Sequence, residues 1–416
     1  MKNFFKILIT KTLILESKFV LKKYNPSIIT VTGSVGKTST KDAIYTVLAK
    51  TDHIRKSDKS FNSEIGIPLT ILGCKNGWND PLVWLKNVLY GIELIFFKSE
   101  YPKCLVLEVG SDHPGDIRKM TSWLKSDIAV ITKVSEIPAH VEFFKSPEDV
   151  FVEKFSLVKS LKETGTLIIS ADDKRLMEGA KQVKQKVLTF GINNSANFYA
   201  SEIESSIKNG ISFKLNYENN LYPVNINGIM GNHYVYPLLA SIAVGVVKNI
   251  SIDKIVNSFS NHIFPRGRMN IISGINNSTI IDDTYNSSPD ALREALITLS
   301  SSITNGKKIA VLGDMMELGK YSSDEHKKAG ELASKSCDIL ITVGPRAKQM
   351  NENAIHFDSS AEAGEYLKTI INNEDIVLLK GSQFMRLERA TKAILAEPEK
   401  ASELLVRQDT TWLAKK

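Results

Sequence analysis

A lysine and three small hydroxylic residues, Lys37-Thr38-Ser39-Thr40, follow directly on the glycine-bracketed turn Gly33-Ser34-Val35-Gly36. The run before the turn, SIITVT, is apolar and β-branched, and the run after it, KDAIYTVLAK, has helical spacing. A glycine-rich turn between strand and helix exposes backbone N–H groups and a helix N-terminus, and both attract phosphate. In that setting Lys37 reaches the terminal phosphates of a nucleotide and the Thr38 hydroxyl binds Mg²⁺. The full GxxxxGK[ST] pattern is not met, because Val31 stands where the first glycine belongs. By spacing alone a plain tight turn remains the alternative.

Glu108 closes the run KCLVLEVG, and His140 lies beyond the run DIAVITKV. A parallel sheet could bring both beside the phosphate turn, where carboxylate and imidazole suit a divalent metal. Taken singly, each reads as well as a capping or structural group. Asp282, Asp283, Tyr285 and Asn286 sit in IIDDTYNSSPD after another β-branched run, where Asp and Asn could equally cap the helix that Ser288-Pro289-Asp290 opens. Arg266 and Arg268 flank Gly267, and a guanidinium there could reach a phosphate once two domains close.

The elements that must hold these residues are legible as α/β. From about Ser27 to Ile263, short β-branched runs (SIITVTG, KCLVLEVG, DIAVITKV, GTLIIS) alternate with helical stretches, as in a parallel sheet covered on both faces. Ligands of such sheets bind beyond the carboxyl ends of the strands. Between about Phe198 and Ile229 the pattern turns to polar alternation, which predicts antiparallel strands at one side, and GNHYVYPLLASIAVGVV predicts a long apolar helix. The FPRG segment at Phe264 to Gly267 reads as an interdomain joint. A second α/β series follows: TIIDDTY, KIAVLGDM, DILITVG and DIVLLKGS. The expected organisation is an N-terminal amphipathic helix over residues 1–26, a central P-loop parallel-sheet ATPase domain over 27–264, and a Rossmann-like α/β domain over 265–416.

Composition narrows the class. A chain of 416 residues exceeds what one hydrophobic core normally serves. The charge of +7 comes from 53 basic against 46 acidic residues scattered along the sequence, without the basic blocks or interleaved aromatics of a nucleic-acid groove. Three cysteines in no CxxC arrangement argue against a disulfide framework and a zinc site, and fit a reducing cytoplasm. The segment from Phe4 to Leu21 is broken by Lys6, Lys11, Glu16 and Lys18, so it is expected to pack on the main body or meet a partner or membrane surface rather than span a bilayer.

With these pieces in chain order the sequence resembles the Mur ligase family, and within it the branch that adds D-alanyl-D-alanine to a peptidoglycan precursor. The matching stretches include TGSVGKTST, FNSEIGIPLTIL, LEVGSDHPGDI, ITKVSEIPAHVEFF, GNHYVYPLLASIAVG, IDDTYNSSPDALREAL, VLGDMMELG and LLKGSQFMRLE, and the resemblance covers about residues 27 to 395. It implies that Gly33, Ser34, Gly36, Lys37, Thr38 and Ser39 hold the triphosphate. It further implies that Glu108 binds Mg²⁺, that His140 serves a second Mg²⁺, and that Lys154 is carbamylated and bridges to that ion. Asn62 looks like an asparagine of the ATP-site loop, and Arg268, Asp283 and Asn286 like nucleotide contacts of the C-terminal domain. Lys380 and Ser382 are expected on the substrate side. Two departures stand out: the family's uridine-diphosphate-binding domain is expected to be missing ahead of the phosphate turn, and Ser63 replaces a second asparagine.

The implied activity is ATP-dependent amide ligation through an acyl phosphate, with Lys37, His140 and Lys154 catalytic. The substrates would be a peptidoglycan precursor or other carboxylate and an amino acid or dipeptide amine. Two alternatives accompany it: another amide ligase of the same superfamily, making a poly-amino acid or modifying a cofactor, and a nucleotide-dependent binding protein without ligation.

Overall fold

The protein is described from a computed structural model, which covers residues 2–50, 53–58, 61–193 and 195–414. Strands β1 (Ser27–Thr32), β2 (Ile54–Lys56), β3 (Cys104–Glu108), β4 (Ser126–Ile131), β5 (Leu161–Ser170), β6 (Lys186–Gly191), β7 (Phe198–Ser206), β8 (Gly210–Tyr217) and β9 (Asn220–Ile226) form one nine-stranded sheet in the order 2-3-1-4-5-6-7-8-9. Pairing is parallel from β2 through to β7 and antiparallel from β7 to β9. The polar alternation of residues 198–226 is thus an extension of the main sheet. β1 lies centrally between β3 and β4, so whatever follows its carboxyl end sits between the loops that follow theirs.

Period-two alternation sends the strand residues to two cores. Ile29, Val31, Val106, Ile128, Val130 and Ile168 join the first core, with α2 (Lys37–Leu48) and the helix Val235–Val247. Ile28, Leu105, Leu107, Ala129, Ile131 and Leu167 join the second, under α1 (Lys2–Tyr24), α3 (Gly66–Leu72) and α4 (Pro81–Phe96). With both faces covered, the central strands read as unbroken apolar runs.

The second sheet has six strands: β10 (Asn270–Ser273), β11 (Thr279–Asp283), β12 (Lys308–Gly313), β13 (Ile339–Val343), β14 (Ile355–Phe357) and β15 (Ile376–Lys380), ordered 10-11-15-12-13-14. All its pairings are parallel except the edge pair β10/β11. Its helix Pro289–Ser301 contributes Leu292, Leu296 and Leu299 to the first core, so the two sheets share continuous apolar packing.

α1 departs from the expectation of an amphipathic helix. It does pack on the body through Leu13, Ser17 and Val20, yet Leu8, Leu15 and Phe19 on its outward side are apolar as well. Among the described residues no helix is long and apolar enough to cross a membrane.

Candidate active site

The turn after β1 is shaped by its glycines. Gly33 has φ +147°, and a Cβ there would lie 1.9 Å from Thr132 Oγ1; Gly36 has φ +84°. Side chains rarely adopt these conformations, and at Gly33 none would fit. The turn is tied to the loop after β4: Thr132 Oγ1 donates to Val35 O at 2.7 Å, and Ser34 N donates to Lys133 O at 2.6 Å. α2 starts at Lys37, so its first-turn N–H groups lack partners inside the helix and are available to an anion. Lys37 Nζ donates to Gly33 O at 2.9 Å and Ser34 O at 3.3 Å. Burial pushes its pKa down, with the Glu108 carboxylate opposing.

Glu108, at the end of β3, is 2% exposed. Its Oε1 accepts from Asn62 Nδ2 at 3.2 Å, while Oε2 has no hydrogen-bond partner among the described residues and lies 3.6 Å from Lys41 Nζ. The Lys41 ammonium offsets the buried charge, and Oε2, which accepts no hydrogen bond from the described residues, keeps lone-pair capacity that a divalent cation could use. Lys154, on the helix Pro147–Phe155, is 3% exposed and donates to Ser111 Oγ at 3.3 Å. Burial, and then the neighbouring Lys37, pull its pKa down to about 7. An amine so placed is substantially neutral, and hence nucleophilic, near neutral pH.

His140 takes a left-handed backbone, φ 67°, and reaches across to the second sheet's domain, where its Nδ1 lies 2.6 Å from Glu317 Oε2. Its Nε2 is 3.6 Å from Asp112 Oδ1. The contact continues in the backbone, with Glu142 N donating to Glu317 O at 3.3 Å. Among the described residues no three His, Cys, Asp or Glu side chains converge on one metal position. Mg²⁺ keeps waters and takes few protein ligands beside substrate phosphates, so a site for it does not require such a cluster.

From the C-terminal domain, Arg268 stacks on the Tyr285 ring at 4.2 Å, and Tyr234 Oη donates to Arg268 O at 2.6 Å. Lys380, buried at the end of β15, contacts Asp283 Oδ2 at 2.5 Å and donates to Asn286 O at 3.0 Å. Lys133 bridges the domains to Asp290 at 3.4 Å. The result is a cleft of about 330 Å³ lined from both sides by Ser34, Gly36, Lys37, Thr38, Ser39, Asn62, Glu108, His140, Lys154, Arg268, Asp283 and Asn286.

Most residues singled out from the sequence line this cleft, whereas Gly33, Arg266, Asp282 and Ser382 do not. Asp282 is fully buried and accepts from Thr284 Oγ1 at 2.8 Å. Gly33 underlies the turn without lining the cleft. Arg266 turns away from it and donates to Ser402 O at 2.6 Å. Ser382 does not line the cleft, and its hydroxyl accepts from Met316 N at 2.8 Å. Sequence reasoning missed Glu317, Asp112, the half-buried His233 and the buried Tyr234. Glu317 and Asp112 stood inside recognised stretches, VLGDMMELG and LEVGSDHPGDI, but nothing local marked them as partners of His140. His233 lines the cleft with its pKa pushed down to about 4 by burial, so it is neutral there.

Residues 86–245 match the Mur ligase middle domain, and residues 267–383 match the Mur ligase glutamate ligase domain. The chain belongs to the Mur ligase family. Among curated Mur ligases it is 29% identical over 392 residues to UDP-N-acetylmuramoyl-tripeptide–D-alanyl-D-alanine ligase of Bacillus subtilis, covering 92% of this chain and 79% of that one. The solved structure of MurF ligase from Thermotoga maritima in complex with ADP is similar with a TM-score of 0.80 and 25% identity, over 95% of this chain and 84% of that one. A pseudomurein peptide ligase type C from Methanothermus fervidus shares the fold, with a TM-score of 0.66 and 17% identity over 88% and 78% of the two chains.

Proposed function

We propose that this Mur ligase binds ATP in the cleft between its two sheets and joins a carboxylate to an amine through an acyl phosphate. The carboxylate is a peptidoglycan-precursor peptide and the amine D-alanyl-D-alanine, a reading supported by the name of the Bacillus subtilis relative, which joins a UDP-N-acetylmuramoyl-tripeptide to D-alanyl-D-alanine. The observation that carries the reading is the convergence of the Gly33–Lys37 turn, Glu108, Lys154 and the C-terminal Arg268, Asp283 and Asn286 on one cleft.

In this reading the triphosphate lies on the turn and on the first N–H groups of α2, with Lys37 as a fixed cation at its end. Asn62 orients Glu108, and Arg268, Asp283 and Asn286 hold the nucleoside side. Thr38, Glu108, His140 and Lys154, the last carrying a carbamate, are the residues that would hold Mg²⁺, which supplies charge neutralisation at the phosphates. The substrate carboxylate attacks the γ-phosphorus in line, ADP leaves, and the amine attacks the acyl carbon, expelling phosphate. Lys37 stabilises the negative charge that develops in both steps. Because little covalent chemistry falls to the protein, rate depends on bringing the two domains' groups together.

The test offers the purified chain ATP, Mg²⁺, D-alanyl-D-alanine and muramoyl peptides with and without the uridine diphosphate group, with phosphate release as the readout. Release requiring all components is the expected result, and Lys37→Ala lowers it roughly a thousandfold while leaving the circular dichroism spectrum unchanged. Parent-rate product formation by Lys37→Ala would rule out the assigned role.

A further inference from the structure

α4 buries one face and exposes another that is just as apolar. Trp84, Asn87, Gly91 and Leu94 point inward, whereas Leu82, Leu85, Leu89, Ile92 and Phe96, at the spacing of a single helical face, are between 41% and 76% exposed. α1 repeats the arrangement, with Leu8, Leu15 and Phe19 exposed on the side opposite Leu13, Ser17 and Val20. The helices lie side by side and run in the same direction. A Cβ on Gly91 would lie 2.2 Å from Glu16 Oε2, and Lys23 Nζ donates to Leu94 O at 2.9 Å. The two outward stripes are therefore neighbours and form one continuous apolar surface. Single exposed leucines are ordinary, but two adjacent stripes of them mark an interaction site.

The charge around this surface selects its partner. Lys11, Lys18 and Lys22 of α1 and Lys86 of α4 are all exposed beside the stripes. The one acidic residue of α1, Glu16, is turned inward against α4, and Glu93 is the exposed acid of α4. Protein interfaces are depleted of lysine, whereas helices lying in the plane of a membrane combine lysines with Leu, Phe and Trp, their stems in the apolar layer and their ammonium groups at the lipid phosphates. Bulky aromatics stand at both ends of α4, with Trp78 80% and Phe97 66% exposed, as at a bilayer's polar boundary. Neither helix is long and apolar enough to cross.

We propose that the α1/α4 face docks on an anionic lipid bilayer, the two apolar stripes entering the headgroup–acyl boundary and the lysines meeting lipid phosphates. This goes beyond the ligase reading and does not depend on it.

The test is flotation of the full chain with vesicles of phosphatidylcholine alone or of equal parts phosphatidylcholine and phosphatidylglycerol, at low and high salt. The chain floats with the anionic vesicles, less with the neutral ones, and less at high salt. Leu89→Glu with Phe96→Glu weakens flotation about tenfold or more, and Lys11→Glu with Lys18→Glu weakens it at low salt by about fivefold or more per site. All these side chains are exposed, so the melting temperatures stay at the parent value. Three results would each overturn the proposal: no flotation with anionic vesicles, equal flotation by both double variants, or a vesicle-free dimer in sedimentation velocity that Leu89→Glu with Phe96→Glu dissolves. The last would assign the surface to a second copy of the chain.

Discussion

Lys154 illustrates how environment converts an ordinary side chain into a reactive one. Its pKa of about 7 has burial as the first cause and the Lys37 charge as the second, and neither can be read from the segment VFVEKFSLV. If a carbamate on Lys154 serves the phosphates, Lys154→Ala loses phosphate release by roughly a hundredfold, and short carboxylic acids restore part of it. Parent activity in the unsupplemented variant would remove the carbamate from the mechanism. The phosphate turn was legible because its chemistry is local: glycines, lysine and threonine stand next to one another between strand and helix. His140 was found, but its partner Glu317 was not, since that contact is made only when two domains meet. Arg266 misled for a different reason: its guanidinium binds the carbonyl of Ser402, far along the chain within the same domain.

At the scale of elements, Glu16 gives a test of the α1/α4 packing. Its carboxyl is buried against Gly91, Oε2 lacks a hydrogen-bond partner among the described residues, and burial raises its pKa to about 7. The folded state therefore holds a proton that the unfolded state releases near pH 4.5. Between those values stability falls as pH rises, and above about 7 the loss is complete. Glu16→Gln, which carries no charge, melts higher than the parent at pH 8 by about 2 °C or more and matches it at pH 4.5. A parent-like melting curve at both pH values would mean that the carboxyl is solvated. The central strands β1, β3, β4, β12, β13 and β15 were legible because burial on both faces leaves unbroken β-branched runs. The edge strands β2 and β14, three residues each, were not, because so short a run carries no period. The outward side of α1 is mixed, with the apolar Leu8, Leu15 and Phe19 standing beside Lys11, Lys18 and Lys22, so it departs from a simple division into an apolar inner and a polar outer face.

For the whole molecule, function rests on two domains meeting across the cleft. Gly319 marks the contact: with φ +52°, a Cβ there would come within 2.9 Å of Glu142 Cβ. Gly319→Val holds the domains apart at that point, lowering phosphate release about tenfold or more and raising the radius of gyration in small-angle scattering. Unchanged turnover would show that this contact is incidental to closure. The central claim, transfer of a phosphoryl group from ATP to a carboxylate held in the cleft, is tested most directly with a precursor peptide labelled with ¹⁸O in its reacting carboxylate. After reaction with ATP and D-alanyl-D-alanine, mass spectrometry of the released phosphate finds one carboxylate ¹⁸O in each product-forming turnover. Phosphate free of label, with both labelled oxygens accounted for elsewhere, would contradict the acyl phosphate and the account built on it.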